Sequence, residues 1–193
     1  MYKAKNFRHL LGIKGLSDKL LENHFILYEG YVKNFNKLND ILVTFEKADK
    51  YETPEYAELN RRFGWEFNGM RLHELYFENL TKTPIALENN SALFLAIKKE
   101  FGSLLSWEKD FRAMVLMRGI GWVVLYYDKK ADRLFNIWIN EHDVGHLAGC
   151  EPILVLDVFE HAYLLDYGIK KAAYLEAIFP QLNWQKAEKR FAT

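Results

Sequence analysis

Six histidines, one aspartate closing an apolar run and a single cysteine are the residues best suited to chemistry in this chain. His24 and His73 stand in otherwise apolar stripes. An imidazole on a buried face needs a partner, because burying an unpaired polar group costs on the order of a few kcal/mol. Asp157 follows directly on Ile153-Leu154-Val155-Leu156, and His161 comes one helical turn later. A carboxylate at the end of a buried strand is expensive unless it is paired or binds a cation. Asp-x-x-x-His brings two ligands close enough to share one ion. With two helical histidines the set becomes three nitrogens and one oxygen, which suits iron, manganese or zinc and not calcium or magnesium. A structural zinc site would draw on cysteines, and Cys150 is alone. Taken singly, each helical histidine reads as a satisfied core residue rather than a metal ligand.

The elements that must position these groups are legible from periodicity. From Leu20 to Phe45 apolar residues recur every three or four positions, the pattern of one buried stripe on a long helix, with Ser17 as N-cap and Asp18 in the first turn. Gly30 interrupts this run, and close packing against another backbone is expected there. Thr53-Pro54-Glu55 marks a second helix start, followed by the stripe Tyr56, Leu59, Phe63, Phe67, Met70, His73, Phe77, Leu80. The short polar break between them predicts an antiparallel helical hairpin. Residues 81–88 are the natural domain boundary, dividing the chain into an N-terminal helical hairpin, 1–84, and a C-terminal α+β domain, 85–193. In the second half, helical patterns cover residues 91–101 and 106–117, and a further one covers 172–178. Residues 122–127, 134–139 and 153–156 read as strands. The predicted fold is α+β: a long antiparallel hairpin, then a small three-stranded antiparallel sheet flanked by helices.

Composition narrows the classes. The 193 residues are half hydrophobic and 16% aromatic, ample for a packed core. Basic and acidic residues balance at 26 each, so nothing calls for nucleic acid as a partner. No stretch approaches the roughly 20 apolar residues of a membrane span. One cysteine permits no internal disulfide, and the N-terminal residues lack the apolar run of a signal peptide, so a cytoplasmic location is expected.

Asp157-Val158-Phe159-Glu160-His161-Ala162-Tyr163 resembles the C-terminal signature of the iron/manganese superoxide dismutases, Asp-x-Trp-Glu-His-Ala-(Tyr/Phe). Gly119-Ile120-Gly121-Trp122 is similar to the family's Gly-x-Gly-Trp, and Phe67-Asn68-Gly69 through His73 to its second-helix ligand segment. The strand ending at Asp157 and the late pair Asn183-Trp184 extend the likeness over most of the chain. The resemblance implies one iron or manganese ion per subunit, held by His24, His73, Asp157 and His161, with solvent as a fifth ligand. It implies dismutation of superoxide to dioxygen and hydrogen peroxide. Trp122 would wall the centre, and Tyr31 would stand near the substrate entrance. Glu160 would cross a homodimer interface to the partner's His161, with Tyr163 beside it; a tetramer is the alternative assembly. A hydrogen-bonding glutamine or histidine near the ion comes from either the second helix or the inter-strand loop in this family. Gly69 leaves that role to the loop, where His142 is the first candidate and His146 the second. Gly69 leans toward the manganese-type arrangement, although a histidine in that role also occurs in iron and metal-tolerant members.

Three departures touch the entrance. Tyr28 takes the place of the channel histidine, and the spacing from His24 to Tyr31 is one residue shorter than in the family pattern. Leu164 replaces the tyrosine that reaches across the interface, and Phe159 replaces the signature tryptophan. Two rival readings stand beside the dismutase: a catalytically weakened homologue that keeps the metal and a dimer scaffold, and a non-redox zinc or iron hydrolase using the same ligand set.

Overall fold

The computed structural model describes residues 1–192. Helix α1, Asp18–Lys47, starts where Ser17 accepts a hydrogen bond from the Leu20 amide. Helix α2, Pro54–Glu78, starts where Thr53 accepts from the Tyr56 amide, with Pro54 in the first turn. These caps satisfy amides that have no partner inside the helix. The two helices pair as a hairpin, burying Leu21, Phe25, Val32 and Phe35 of α1 against Met70 and Phe77 of α2. Each such side chain contributes about 1.5–3 kcal/mol when fully buried. Gly30 corrects an expectation: nothing lies within 4 Å of where its Cβ would stand, so no backbone packs there.

Helices α3, Ala92–Phe101, and α4, Leu104–Val115, lead into the sheet. The expected start of α4 at Ser106 was two residues late. Ser103 is the cap, and its hydroxyl accepts from the Ser106 amide. Strands β1, Gly121–Asp128, β2, Arg133–Asn140, and β3, Glu151–Asp157, form an antiparallel sheet in the order β2-β1-β3. Trp122 on the central strand pairs with Asp157 on one side and Ile139 on the other. Gly121 must be glycine: its φ is +146°, and a Cβ would sit 2.0 Å from the Ile139 carbonyl oxygen.

The chain closes with short helices α5, Leu164–Tyr167, α6, Lys171–Ile178, and α7, Trp184–Phe191. Asn79, at the end of α2, accepts the Val155 amide proton at 2.9 Å and so ties α2 to β3. One continuous hydrophobic core runs from the hairpin through both faces of the sheet. Among the described residues no helix is long and apolar enough to cross a membrane.

Candidate metal centre

The fold brings His24 of α1, His73 of α2, Asp157 at the end of β3 and His161 of the following 3-10 turn, Glu160–Ala162, into one cluster. Their ligand atoms lie within 4.8 Å of one another. His24, His73 and Asp157 are fully enclosed, and His161 is partly exposed. Three imidazole nitrogens converge on a single carboxylate oxygen: Asp157 Oδ2 lies 3.0 Å from His161 Nε2, 3.2 Å from His24 Nε2 and 3.8 Å from His73 Nε2. The other oxygen, Oδ1, accepts the Phe159 amide at 2.8 Å, which sets the carboxylate's rotation. Behind it the Tyr174 hydroxyl donates to the Asp157 carbonyl at 3.0 Å and lies 3.2 Å from the Tyr76 hydroxyl. A carbonyl only accepts, so Tyr76 donates to Tyr174 and the chain of hydroxyls runs one way.

The protonation states follow from the partners. His73 Nδ1 lies 2.6 Å from the Gly69 carbonyl oxygen, so Nδ1 carries the hydrogen and Nε2 presents a lone pair. Burial pushes His73 well below the ordinary imidazole value and lowers His24 as well, so both are neutral. Burial opposes ionisation of Asp157, but the His161 imidazole beside it holds it well below the usual carboxylate range. The result is a lone pair on His73 aimed toward an ionised oxygen, a repulsive arrangement. His24 Nε2 approaches that oxygen without hydrogen-bond alignment, and both nitrogens of His24 together with His73 Nε2 are buried without a hydrogen-bond partner. Buried polar atoms of this kind are rare and costly. A cation shared by the four ligand atoms removes both the orphaned nitrogens and the repulsion. Three imidazoles and one carboxylate suit iron, manganese or zinc.

Around the cluster stands a wall of rings. Trp122 packs edge-on against His73 at 5.0 Å between centroids. Phe159 stacks on both His142 at 4.8 Å and His161 at 5.1 Å. The replacement of the signature tryptophan by Phe159 therefore keeps an aromatic ring between the loop and the fourth ligand.

His142 comes from the loop after β2 and is buried beside the cluster. Its Nδ1 lies 3.0 Å from the Trp122 indole nitrogen and its Nε2 lies 2.7 Å from the Tyr31 hydroxyl. An indole N–H only donates, so Nδ1 accepts and the ring proton sits on Nε2, donated to Tyr31. Burial keeps this imidazole neutral, lowering it to about 4. Burial, with the charges of Asp157 and Glu66 adding, pushes the Tyr31 phenol up to about 12. The ring of Tyr31 lies against Gly69, where a Cβ would stand 2.5 Å from its Cδ1. Glycine on α2 and tyrosine on α1 are thus one packing unit.

His146 is held elsewhere. Its Nε2 bonds the His142 carbonyl at 2.9 Å and its Nδ1 accepts from the Tyr126 hydroxyl at 3.0 Å, so it braces the loop that carries His142. Tyr28, expected at the channel mouth, is buried, its ring 6.4 Å from that of His73. Its hydroxyl donates to Glu74 at 2.9 Å and accepts the Lys5 amide at 2.9 Å. One turn past His24 the side chain meets Phe7 and Phe77 of the core, which decides its direction. Glu160 is exposed and lines a pocket of about 390 Å³ with Asn23, His161, Leu164 and Leu165. Tyr163 is nearly buried and stacks on Tyr174.

Sequence reasoning missed Trp65 and Glu66. Trp65 contacts His142 edge-on at 4.8 Å. Glu66 is buried on α2 with Arg62 as its one hydrogen-bond partner among the described residues. The available signal was spacing: Glu66 lies two helical turns before His73, hence on the same face.

Fold and site together define a metalloprotein with an enclosed three-histidine, one-aspartate centre. The C-terminal domain profile of the iron/manganese superoxide dismutases matches residues 89–190. A superoxide dismutase (Fe) of Cupriavidus metallidurans is 40% identical over 185 residues, covering 93% of this chain and 90% of the relative. A superoxide dismutase (Fe) of Aquifex pyrophilus is 33% identical, covering 93% and 85%. A superoxide dismutase (Mn) of Haloferax volcanii is 31% identical, covering 91% and 87%. The chain belongs to the iron/manganese superoxide dismutase family.

Proposed function

We propose that this protein dismutates superoxide at one iron or manganese ion held by His24, His73, Asp157 and His161. The observation that carries the reading is the convergence of three imidazole nitrogens on one ionised oxygen, with buried lone pairs that nothing else satisfies. When bound there, such an ion supplies the one-electron exchange by which one superoxide is oxidised to dioxygen and a second is reduced, with two protons, to hydrogen peroxide.

The chain's own groups supply position, dryness and protons. The Gly69 carbonyl fixes the tautomer and direction of His73. The Phe159 amide holds one carboxylate oxygen of Asp157 and leaves the other for the ion. Trp122 and Phe159 keep bulk water from the ligands. Trp122 also fixes His142 as a donor to Tyr31, so Tyr31 receives a proton bond and keeps its own hydrogen to give. Tyr31 and His142 are the polar groups that meet the substrate side of the centre.

We assign the functional unit to a homodimer, in which exposed Glu160 reaches the partner's His161; exposed Leu164 and Leu165 beside it supply apolar area for the contact. Leu164 cannot hydrogen-bond across that interface, and the Tyr28 hydroxyl is taken up by Glu74 and the Lys5 amide, so the two positions do not form the polar pair of the family pattern. The division into a hairpin domain and an α+β domain, residues 1–84 and 85–193, stays our reading of the architecture. A single cysteine suits a reducing compartment, and we assign the protein to the cytoplasm.

The test is metal stoichiometry of the purified chain and of His24→Ala, His73→Ala, Asp157→Ala and His161→Ala, together with superoxide decay. One iron or manganese per chain, reduced in each variant along with activity, supports the reading. Full occupancy by zinc with no superoxide consumption by any metal form rejects it in favour of a non-redox enzyme.

A further inference from the structure

We propose that Tyr28 is a positioning residue for the ion: its bond to Glu74 sets the spacing of the two helices that carry His24 and His73, and so how long the ion is held; this rests on the metal centre assigned above. His24 lies on α1 and His73 on α2. Their imidazoles do not tie the helices together. Both nitrogens of His24 and Nε2 of His73 are buried without a hydrogen-bond partner, and His73 Nδ1 donates within its own helix, to the Gly69 carbonyl. Among the described residues one side-chain hydrogen bond joins α1 to α2, from the Tyr28 hydroxyl to Glu74 Oε1 at 2.9 Å. It falls at the level of the ligands. Tyr28 is one helical turn after His24, and Glu74 is the residue after His73. The Tyr28 ring stands 6.4 Å from the His73 ring.

Both groups are themselves held. Tyr28 is 1% exposed and Glu74 4%. The Tyr28 oxygen also accepts from the Lys5 amide at 2.9 Å. Glu74 Oε2 accepts from Arg71 at 2.6 Å and lies 3.3 Å from Lys5 Nζ. The segment that carries Lys5 is pinned on either side: Tyr2 exchanges two hydrogen bonds of 2.8 Å with Asn36 of α1, and Phe7 packs on both Tyr28 and Phe77. A buried carboxylate with a phenol on one oxygen and cations on the other cannot shift without leaving a polar group unpaired, which is costly. The apolar contacts along the rest of the hairpin press the helices together, but they are non-directional and do not fix register. An ion held from several elements stays as long as those elements keep their spacing. Without the Tyr28 hydroxyl, His24 and His73 part more readily and the ion leaves sooner. Tyr28 does not touch the ion; it acts through the two helices.

The experiment loads the full chain with iron or manganese and follows loss of the ion to excess EDTA. Tyr28→Phe keeps the ring and removes the hydroxyl. It releases the ion about fivefold faster than wild type, the rate equivalent of one buried hydrogen bond. Trp107→Phe is the comparison: it removes a buried hydrogen bond to Asn136, between α4 and β2 and away from the ligands. With urea adjusted so that the two variants have equal unfolding free energies in their metal-free forms, Trp107→Phe holds the ion longer than Tyr28→Phe. A double-mutant cycle locates the effect, since Tyr28→Phe adds little to the release rate once Glu74→Ala has removed its partner. Release from Tyr28→Phe at the wild-type rate, equal release from the two stability-matched variants, or an undiminished effect of Tyr28→Phe beside Glu74→Ala overturns the proposal. A chain that holds no ion refutes the metal centre and the proposal with it. An ion held without dismutation refutes the dismutase reading alone, because release is read without turnover.

Discussion

Replacing Gly69 by alanine sets two effects of opposite sign against each other. Alanine is about 0.8–1.0 kcal/mol better than glycine in a helix interior. At this site its Cβ would stand 2.5 Å from Tyr31 Cδ1 and 2.6 Å from Cε1. Ordinary contact begins near 3.4 Å, so the ring must retreat by about 1 Å. It cannot retreat freely. Its face lies 5.2 Å from the His73 ring, and its hydroxyl is 2.7 Å from His142 Nε2. A shift of that size stretches the hydrogen bond beyond useful length. Overpacking costs typically about 1–3 kcal/mol, and the broken bond adds about 1 kcal/mol. Packing wins, and Gly69→Ala lowers the unfolding free energy of the metal-free protein by about 1–3 kcal/mol after the helix gain is subtracted. Gly64, on the same helix with nothing within 4 Å of its missing Cβ, is the control. Urea unfolding of both variants reads the difference directly: Gly64→Ala gains stability and Gly69→Ala loses it. Equal gains in the two, with the Tyr31 to His142 bond intact by NMR, would refute the coupling of Gly69 to Tyr31.

Three further outcomes follow from the same geometry. Trp122→Phe removes the one donor to His142 Nδ1 among the described residues, so nitrogen NMR of the metal-free protein shows mixed His142 tautomers where the wild type shows the proton on Nε2 alone. Tyr174→Phe strips the Asp157 carbonyl of its buried donor and lowers stability by about 1–2 kcal/mol in denaturant titration, without changing metal stoichiometry. Glu78 is drawn down to about 2: burial opposes this, and Lys186, Lys5 and Arg190, at 2.9, 3.0 and 3.1 Å, outweigh it. A depressed carboxyl stabilises the fold above its unfolded value near 4.5 and loses that contribution as pH falls toward 2. Glu78→Gln therefore costs on the order of 1–2 kcal/mol at neutral pH and flattens the acid limb of stability measured by denaturant unfolding.

The parts of the fold governed by local signals were legible in the sequence. Ser17 and Thr53-Pro54 fixed the starts of α1 and α2 because a cap is a contact within four residues. The three strands stood out because their apolar runs are short and bounded by charged or glycine-containing turns. The start of α4 slipped because the apolar pattern does not mark its first turn, which is set by the Ser103 hydroxyl accepting from the Ser106 amide. Helix α7 escaped notice because half of its eight residues are charged, and its buried face rests largely on Ala187. In the site, the four clustered residues were visible as polar interruptions of apolar runs. The partners of Tyr28 were not legible, since its hydroxyl meets the N-terminal segment, through the Lys5 amide, and Glu74. The separation of His142 from His146 depended on a turn in which Asn140 and Val144 pair and Glu141 has φ +51°, neither of which spacing reveals. The reason for Gly69 was equally hidden, since it is the ring of a residue on another helix.

The most direct test of the central claim is superoxide consumption per bound ion, measured on separate iron and manganese reconstitutions of the full chain beside Asp157→Asn. The account predicts rapid consumption by at least one metal form, proportional to metal content, and near-complete loss in the variant. One ion per chain with negligible consumption in both metal forms would contradict it.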